Sequence, residues 1–150
     1  MIAVLLAMAC MAYAQANVAV KEQVTITVNQ VISRTDVPPI NVNGRTLVPI
    51  RGIFQGFTSD IGWFPHEEKV YIRRDCTTIW LQIGDAHAKV NDDIVPLAVP
   101  AMIYRGRTMV PLRFIAETLG ASVNWNPQTE TITITFPQEV QAEPQPAPNP

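Results

Sequence analysis

The chain has 150 residues, enough for about one domain. Hydrophobic residues make up 47% and charged residues 16%, a balance that excludes a charged, unstructured chain. Eleven Lys and Arg against thirteen Asp and Glu leave a net charge of -2, and no basic run occurs, which argues against nucleic acid or a polybasic membrane-surface role.

Fifteen of the first sixteen residues are hydrophobic. The apolar run from Ile2 to Tyr13 is about a dozen residues, short of the roughly 20 that a membrane-spanning helix needs. Ala12-Tyr13-Ala14 and Ala14-Gln15-Ala16 offer small residues at the spacing a signal peptidase accepts. Residues 1–16 therefore read as a signal peptide, although no Lys or Arg precedes the apolar run, and the product reads as exported from about Gln15 or Asn17. Without this segment the apolar share is about 41%, ordinary for a globular domain. Cys76 is then the one cysteine left, so no internal disulfide forms and stability rests on the core. Residues 137–150 carry five prolines among Gln, Glu, Ala and Asn, the composition of a linker or tail.

Between these ends the chain matches itself without gaps at an offset of 62 residues, Val48 lying over Val110. Asn43-Gly44-Arg45-Thr46-Leu47-Val48-Pro49-Ile50-Arg51 overlies Arg105-Gly106-Arg107-Thr108-Met109-Val110-Pro111-Leu112-Arg113. Trp63 falls on Trp125, Pro65 on Pro127, Val70 on Ile132 and Ile72 on Ile134. Such self-similarity marks two units, about 24–74 and 79–136, within one domain spanning 17–136.

Each unit predicts the same elements in turn. Asn43-Gly44 lies between alternating apolar segments, a hairpin signature because Gly tolerates positive φ. Pro49 and Pro111 suit the first position of a helix, where the missing N–H is not needed. Ile50, Ile53, Phe54 and Phe57, and then Leu112, Ile115, Ala116 and Leu119, recur at helical spacing, with Gly120 as C-cap. Alternating strands follow: Ile61, Trp63, Val70 and Ile72 in one unit, and Val123, Trp125, Ile132, Ile134 and Phe136 in the other. The predicted class is α+β: two tandem repeats of mostly antiparallel strands, each with one short amphipathic helix packed on its sheet.

These motifs resemble the copper amine oxidase N-terminal-like domain, also called the stalk domain. The second unit carries the resemblance best, in Gly106-Arg107-Thr108-Met109-Val110-Pro111-Leu112-Arg113 and Val123-Asn124-Trp125-Asn126-Pro127. The first unit departs from it at Gly56-Phe57-Thr58-Ser59, where the family has Leu-Gly-Ala, so its helix should end differently. The resemblance implies an accessory or interaction module of exported and cell-surface bacterial proteins. It does not extend to the oxidase's copper-binding catalytic part.

The chemistry inventory is thin. His66 and His87 stand in no ligand spacing with each other or with Cys76, so no metal and no cofactor is expected. Ser33, Ser59 and Ser122 carry no nucleophile motif, and Asp36, Asp60, Asp85 and Glu117 read as solvated turn and helix-surface acids. Recurrence gives Gly44, Arg45, Pro49, Arg51, Trp63 and their counterparts Gly106, Arg107, Pro111, Arg113, Trp125 a structural role, with the arginines bonding turn carbonyls or acids. Arg113 and Glu117 stand four apart and can pair. By phase, Trp63 and Trp125 belong to the core. Trp80 and Tyr71 are out of phase with their apolar neighbours and are the proposed ligand-binding aromatics, able to stack on sugar rings or anchor a protein.

The expected function is that of a non-catalytic, exported module of the bacterial cell envelope. It would bind a surface protein or wall polysaccharide, or act as a spacer, with no nucleic acid and no membrane-spanning segment after cleavage. The alternative is the accessory or targeting domain of a secreted enzyme, a wall hydrolase or an oxidase, whose catalytic domain lies outside this chain.

Overall fold

The computed structural model describes residues 18–20, 24–58 and 60–138. The expected signal peptide and nearly all of the Pro-rich tail lie outside these residues. The chain order opens with β1 (Val18–Val20), β2 (Thr25–Val28), β3 (Val31–Ser33), β4 (Ile40–Val42), β5 (Arg45–Pro49) and α1 (Ile50–Phe54). It continues with β6 (Asp60–Phe64), β7 (Lys69–Arg74), β8 (Thr77–Gln82), β9 (His87–Val90) and β10 (Asp93–Pro96). It closes with β11 (Met102–Tyr104), β12 (Arg107–Pro111), α2 (Leu112–Thr118), β13 (Ser122–Asn126) and β14 (Thr131–Thr135).

The expected α+β class of two tandem repeats does not hold. Strands take 52% of the described residues and helices 10%, so the protein is mostly β, built from three sheets. The sheets run β1-β4-β5-β12-β11, β10-β9-β8-β7-β6 and β13-β14-β2-β3. Elements 62 residues apart still correspond, β2 to β9, β5 to β12 and β7 to β14, yet no sheet belongs to one unit. The β2–β3 hairpin joins β13–β14 through a parallel β2–β14 ladder, Thr25 opposite Thr131. The β9–β10 hairpin of the second motif reaches β6–β7 of the first through β8. Periodicity assigns each strand a face, but it does not choose the neighbouring strand, and the strands chose partners across the repeat.

β5 and β12 pair antiparallel, with Val48 opposite Val110, Leu47 opposite Pro111 and Pro49 opposite Met109. Since Val48 pairs with its own counterpart and the flanking pairs are exchanged by the same operation, a local two-fold axis passes through the Val48–Val110 pair. Both helices pack on β5 and β12 together, so neither is the private layer of one unit. At five and seven residues they are too short to form a helical layer.

The hairpins are placed as their turn residues dictate. Asn43 and Gly44 have φ of 50° and 81°, and Arg105 and Gly106 have 48° and 75°, the two left-handed residues of a type I′ turn. Pro49 and Pro111 stand one residue earlier than expected. With ψ of 122° and 111° they end strands β5 and β12, and each helix starts at the next residue. Gly120 N–H bonds the Glu117 carbonyl and Ala121 N–H the Ala116 carbonyl, closing α2. α1 ends differently, as the departure at Gly56 implies: Phe57 N–H and the Thr58 hydroxyl both donate to the Phe54 carbonyl.

The main core gathers Val48, Val110, Ile53, Phe54, Ile115, Ile72, Ile134 and their neighbours from all three sheets. A second cluster, Val37, Ile40, Val42, Leu47, Val99 and Met109, covers the other face of the central sheet. The β5–β12 pair is thus buried on both faces, which explains why Leu47, Val48, Pro49 and Met109, Val110, Pro111 form unbroken buried runs.

Two equivalent grooves as the candidate functional site

Each motif contributes half of two grooves. Groove one lies between the Gly44-Arg45-Thr46 turn region and the second-motif residues Pro111, Leu112, Arg113, Glu117, Val123, Trp125 and Ile132. Groove two lies between Gly106-Arg107-Thr108 and the first-motif residues Pro49, Ile50, Arg51, Gln55, Ile61, Trp63 and Val70. Asn41 in the first matches Ile103 in the second, and every residue lining groove two has its counterpart, at the 62-residue offset, in groove one, which Val24, Pro96, Leu97 and Val99 line in addition. Their volumes are about 580 and 660 Å³. The two-fold at Val48–Val110 brings this about, because it lays the turn of each motif beside the helix and tryptophan strand of the other.

The tryptophans sit in these grooves and not in the core, which corrects the expectation from phase. Trp63 is 36% exposed and Trp125 47%. Each does lie on the same face as a core residue, Trp63 opposite Val70 and Trp125 opposite Ile132. But β6 and β13 are sheet edges, where no further strand covers the indole. Alternation in the sequence reports the face of a strand and carries no signal of its place in the sheet.

The four recurrent arginines divide in a crossed pattern. In groove two the Arg107 guanidinium donates from Nε to Asp36 Oδ2 at 2.7 Å, and Nη2 donates to the same oxygen. The hydrogen bonds from Arg107 hold the Asp36 carboxyl below the usual carboxylate range and push Arg107 higher still. In groove one Arg113 Nη1 donates to Glu117 Oε1 at 3.1 Å and to the Val123 carbonyl at 3.3 Å. The side chains of Arg45 and Arg51 make no hydrogen bond or ion pair to the described residues, although an acid or carbonyl partner was expected at all four positions. Counterpart positions explain the difference. Asp36 corresponds to Ala98, which leaves Arg45 without an acid, and Glu117 corresponds to Gln55, which leaves Arg51 without one.

Trp80 and Tyr71 lie on the outer face of the β6–β10 sheet, between the buried pairs Ile79, Leu81 and Val70, Ile72. With Phe64 they form one aromatic cluster, Tyr71–Trp80 centroids at 5.1 Å and Phe64–Trp80 at 5.8 Å. Tyr71 crosses directly over Gly62, where a Cβ would lie 2.0 Å from the ring, so only glycine fits beneath it. The Tyr71 hydroxyl donates to Asp60 Oδ2, and that bond to a carboxylate raises the phenol above its ordinary 10. Both proposed ligand aromatics are therefore partly covered by each other and by Phe64.

The remaining candidates are dispersed. His87 N–H bonds Asp85 Oδ1 at 2.9 Å, and Cys76 is exposed and free. Among the described residues no three His, Cys, Asp or Glu side chains converge as a metal site, and no helix is long and apolar enough to cross a membrane. Sequence reasoning missed the grooves, although it singled out most of the residues that line them. The overlooked signal was the joint recurrence of Gly-Arg-Thr, Pro-x-Arg and Trp, which two-fold packing converts into two shared sites. The family model of the Copper amine oxidase N-terminal domain matches residues 20–134. No curated protein matches the chain.

Proposed function

Because the chain belongs to the copper amine oxidase N-terminal domain family, a non-catalytic accessory domain, we propose that it is a binding module of the bacterial cell envelope. It is exported, and it holds a surface protein or wall polymer in its paired grooves without transforming it. The observation that carries this reading is the recurrence of one groove twice, each with a half-exposed tryptophan and an arginine whose side chain has no polar partner among the described residues. Exposed indole beside guanidinium is the composition of a recognition surface, since it combines a broad apolar contact with a fixed cationic fork.

The test is cosedimentation of the purified chain with isolated bacterial envelopes and with washed peptidoglycan. Trp63→Ala with Trp125→Ala should release the chain by tenfold or more, while Trp80→Ala leaves binding within about twofold. Binding that depends on Trp80 and ignores the groove tryptophans would move the site to the outer aromatic cluster. No sedimentation above a control protein would end the binding reading.

A further inference from the structure

We propose that Arg45 in groove one is a receptor for an aspartate or glutamate side chain of a partner polypeptide, and that the equivalent position in groove two is already filled by the chain's own Asp36. The inference rests on the groove reading above and names its ligand class.

Groove two displays the bound state. Asp36 belongs to segment 34–39, Arg-Thr-Asp-Val-Pro-Pro, which forms no strand and runs into β4. Its carboxylate meets Arg107 through two guanidinium nitrogens. Val37, one residue on, is buried in the second cluster, so the segment is anchored beside its acid. Groove one repeats this frame with Val99 in the same cluster and Ala98 exposed at the groove wall. Ala98 carries a methyl where its counterpart Asp36 carries a carboxylate, and Arg45, which lines the same groove, makes no side-chain hydrogen bond or ion pair to any described residue. An acid arriving from another chain therefore finds the donor fork, the apolar floor and Trp125 together.

The peptide source is favoured over a uronic-acid sugar because the occupant seen in groove two is itself a peptide carboxylate. Self-occupation also follows from chain connectivity: a tethered acid acts at an effective concentration of about millimolar, which a free ligand must exceed. The Arg107 guanidinium of groove two is thus engaged in advance, while Arg45 in groove one stays free to take an acid.

The probe is the acetylated and amidated hexapeptide Arg-Thr-Asp-Val-Pro-Pro, titrated into the full chain by calorimetry at low salt. The expected stoichiometry is one for the native chain, two for Asp36→Ala and zero for Ala98→Asp, which restores the missing acid. Arg45→Ala and the Asn form of the peptide should each weaken binding by roughly tenfold or more, and added salt should weaken it progressively. All substituted positions are exposed, and circular dichroism with the thermal midpoint verifies folding of each variant. Arg45→Lys, retaining the charge without the fork, should bind between the native chain and Arg45→Ala.

No saturable binding to the native chain, or binding that ignores both Arg45→Ala and Ala98→Asp, overturns the inference. A galacturonate oligosaccharide that binds through Arg45 where the peptide does not overturns it as well. If envelope binding depends on Trp63 and Trp125 but the peptide fails, the carboxylate-peptide inference falls and the groove reading stands. If the peptide binds through Arg45 and envelopes ignore the tryptophans, the inference stands and the envelope reading falls.

Discussion

Groove one meets Phe114, Glu117 and Ala98 where groove two meets Gly52, Gln55 and Asp36, while turn, proline and tryptophan are the same in both. The shared residues are those that set backbone and frame: a left-handed Gly in the turn, a proline that ends the strand, an indole at the sheet edge. The differing residues decide which guanidinium is already neutralised. Gly52 shows how the two kinds are linked. A Cβ there would lie 2.4 Å from Thr35 Cγ2, so the bare backbone of α1 is what lets the Thr35–Asp36 segment close over groove two. In groove one, Phe114 occupies that position. Geometry common to both sides therefore builds the sites, and a few side chains assign each a different state.

The comparison breaks most severely in the core. Phe54 is fully buried, and its counterpart Ala116 is a methyl group equally buried. Phe54→Ala removes the large member of a large–small pair and should cost about 3–5 kcal/mol in urea unfolding. A loss below about 1 kcal/mol would mean that the two halves do not share one packed interior. Next in size is Gly52→Ala, which drives a methyl into Thr35 and should cost about 1–3 kcal/mol. It should also loosen Asp36 from Arg107, visible as a shift of the Asp36 carboxyl resonance toward that of a free aspartate. An unchanged resonance would separate helix packing from the state of groove two.

Smaller effects sharpen the likeness between the sides. Trp63→Ala and Trp125→Ala should each cost less than about 2 kcal/mol, because an edge indole is only half removed from water. A loss of core size for either one would return it to the interior. The smallest expected effect is on pH dependence. Folding lowers the Asp36 pKa, so its contribution is present above the unfolded carboxylate range and fades as pH falls through the still lower folded value. Between pH 5 and pH 2 the native chain should lose more stability than Asp36→Asn, measured as urea midpoints. Equal losses would show that the pair with Arg107 contributes nothing in solution.

Local signals were legible wherever one short segment determines the outcome. Asn43-Gly44 marked its hairpin because two adjacent left-handed residues are costly for most sequences. Ile50, Ile53 and Phe54, like Leu112, Ile115 and Ala116, marked the buried helix stripes through spacing alone. The pairing of β2 with β14 was not legible, since Thr25-Ile26-Thr27-Val28 would alternate equally well beside a strand of its own unit. Trp63 and Trp125 failed for a related reason, because edge and centre strands share one alternation. The crossed arginine pairs needed both kinds of knowledge, the counterpart positions from the sequence and their juxtaposition from the fold.

The Val48–Val110 pairing has one more consequence, which concerns assembly. A polypeptide carrying a single copy of the motif would present half of an isologous contact and a hairpin with no strand beside it. Its most economical solution is to exchange that hairpin with an identical molecule, making the local axis a true crystallographic-type dyad. Such a half-length chain should be monomeric only when unfolded, and its melting temperature should rise with protein concentration. The covalent connection in the present chain makes the same association unimolecular. That removes the dependence on concentration and frees the two sites from the requirement of being identical.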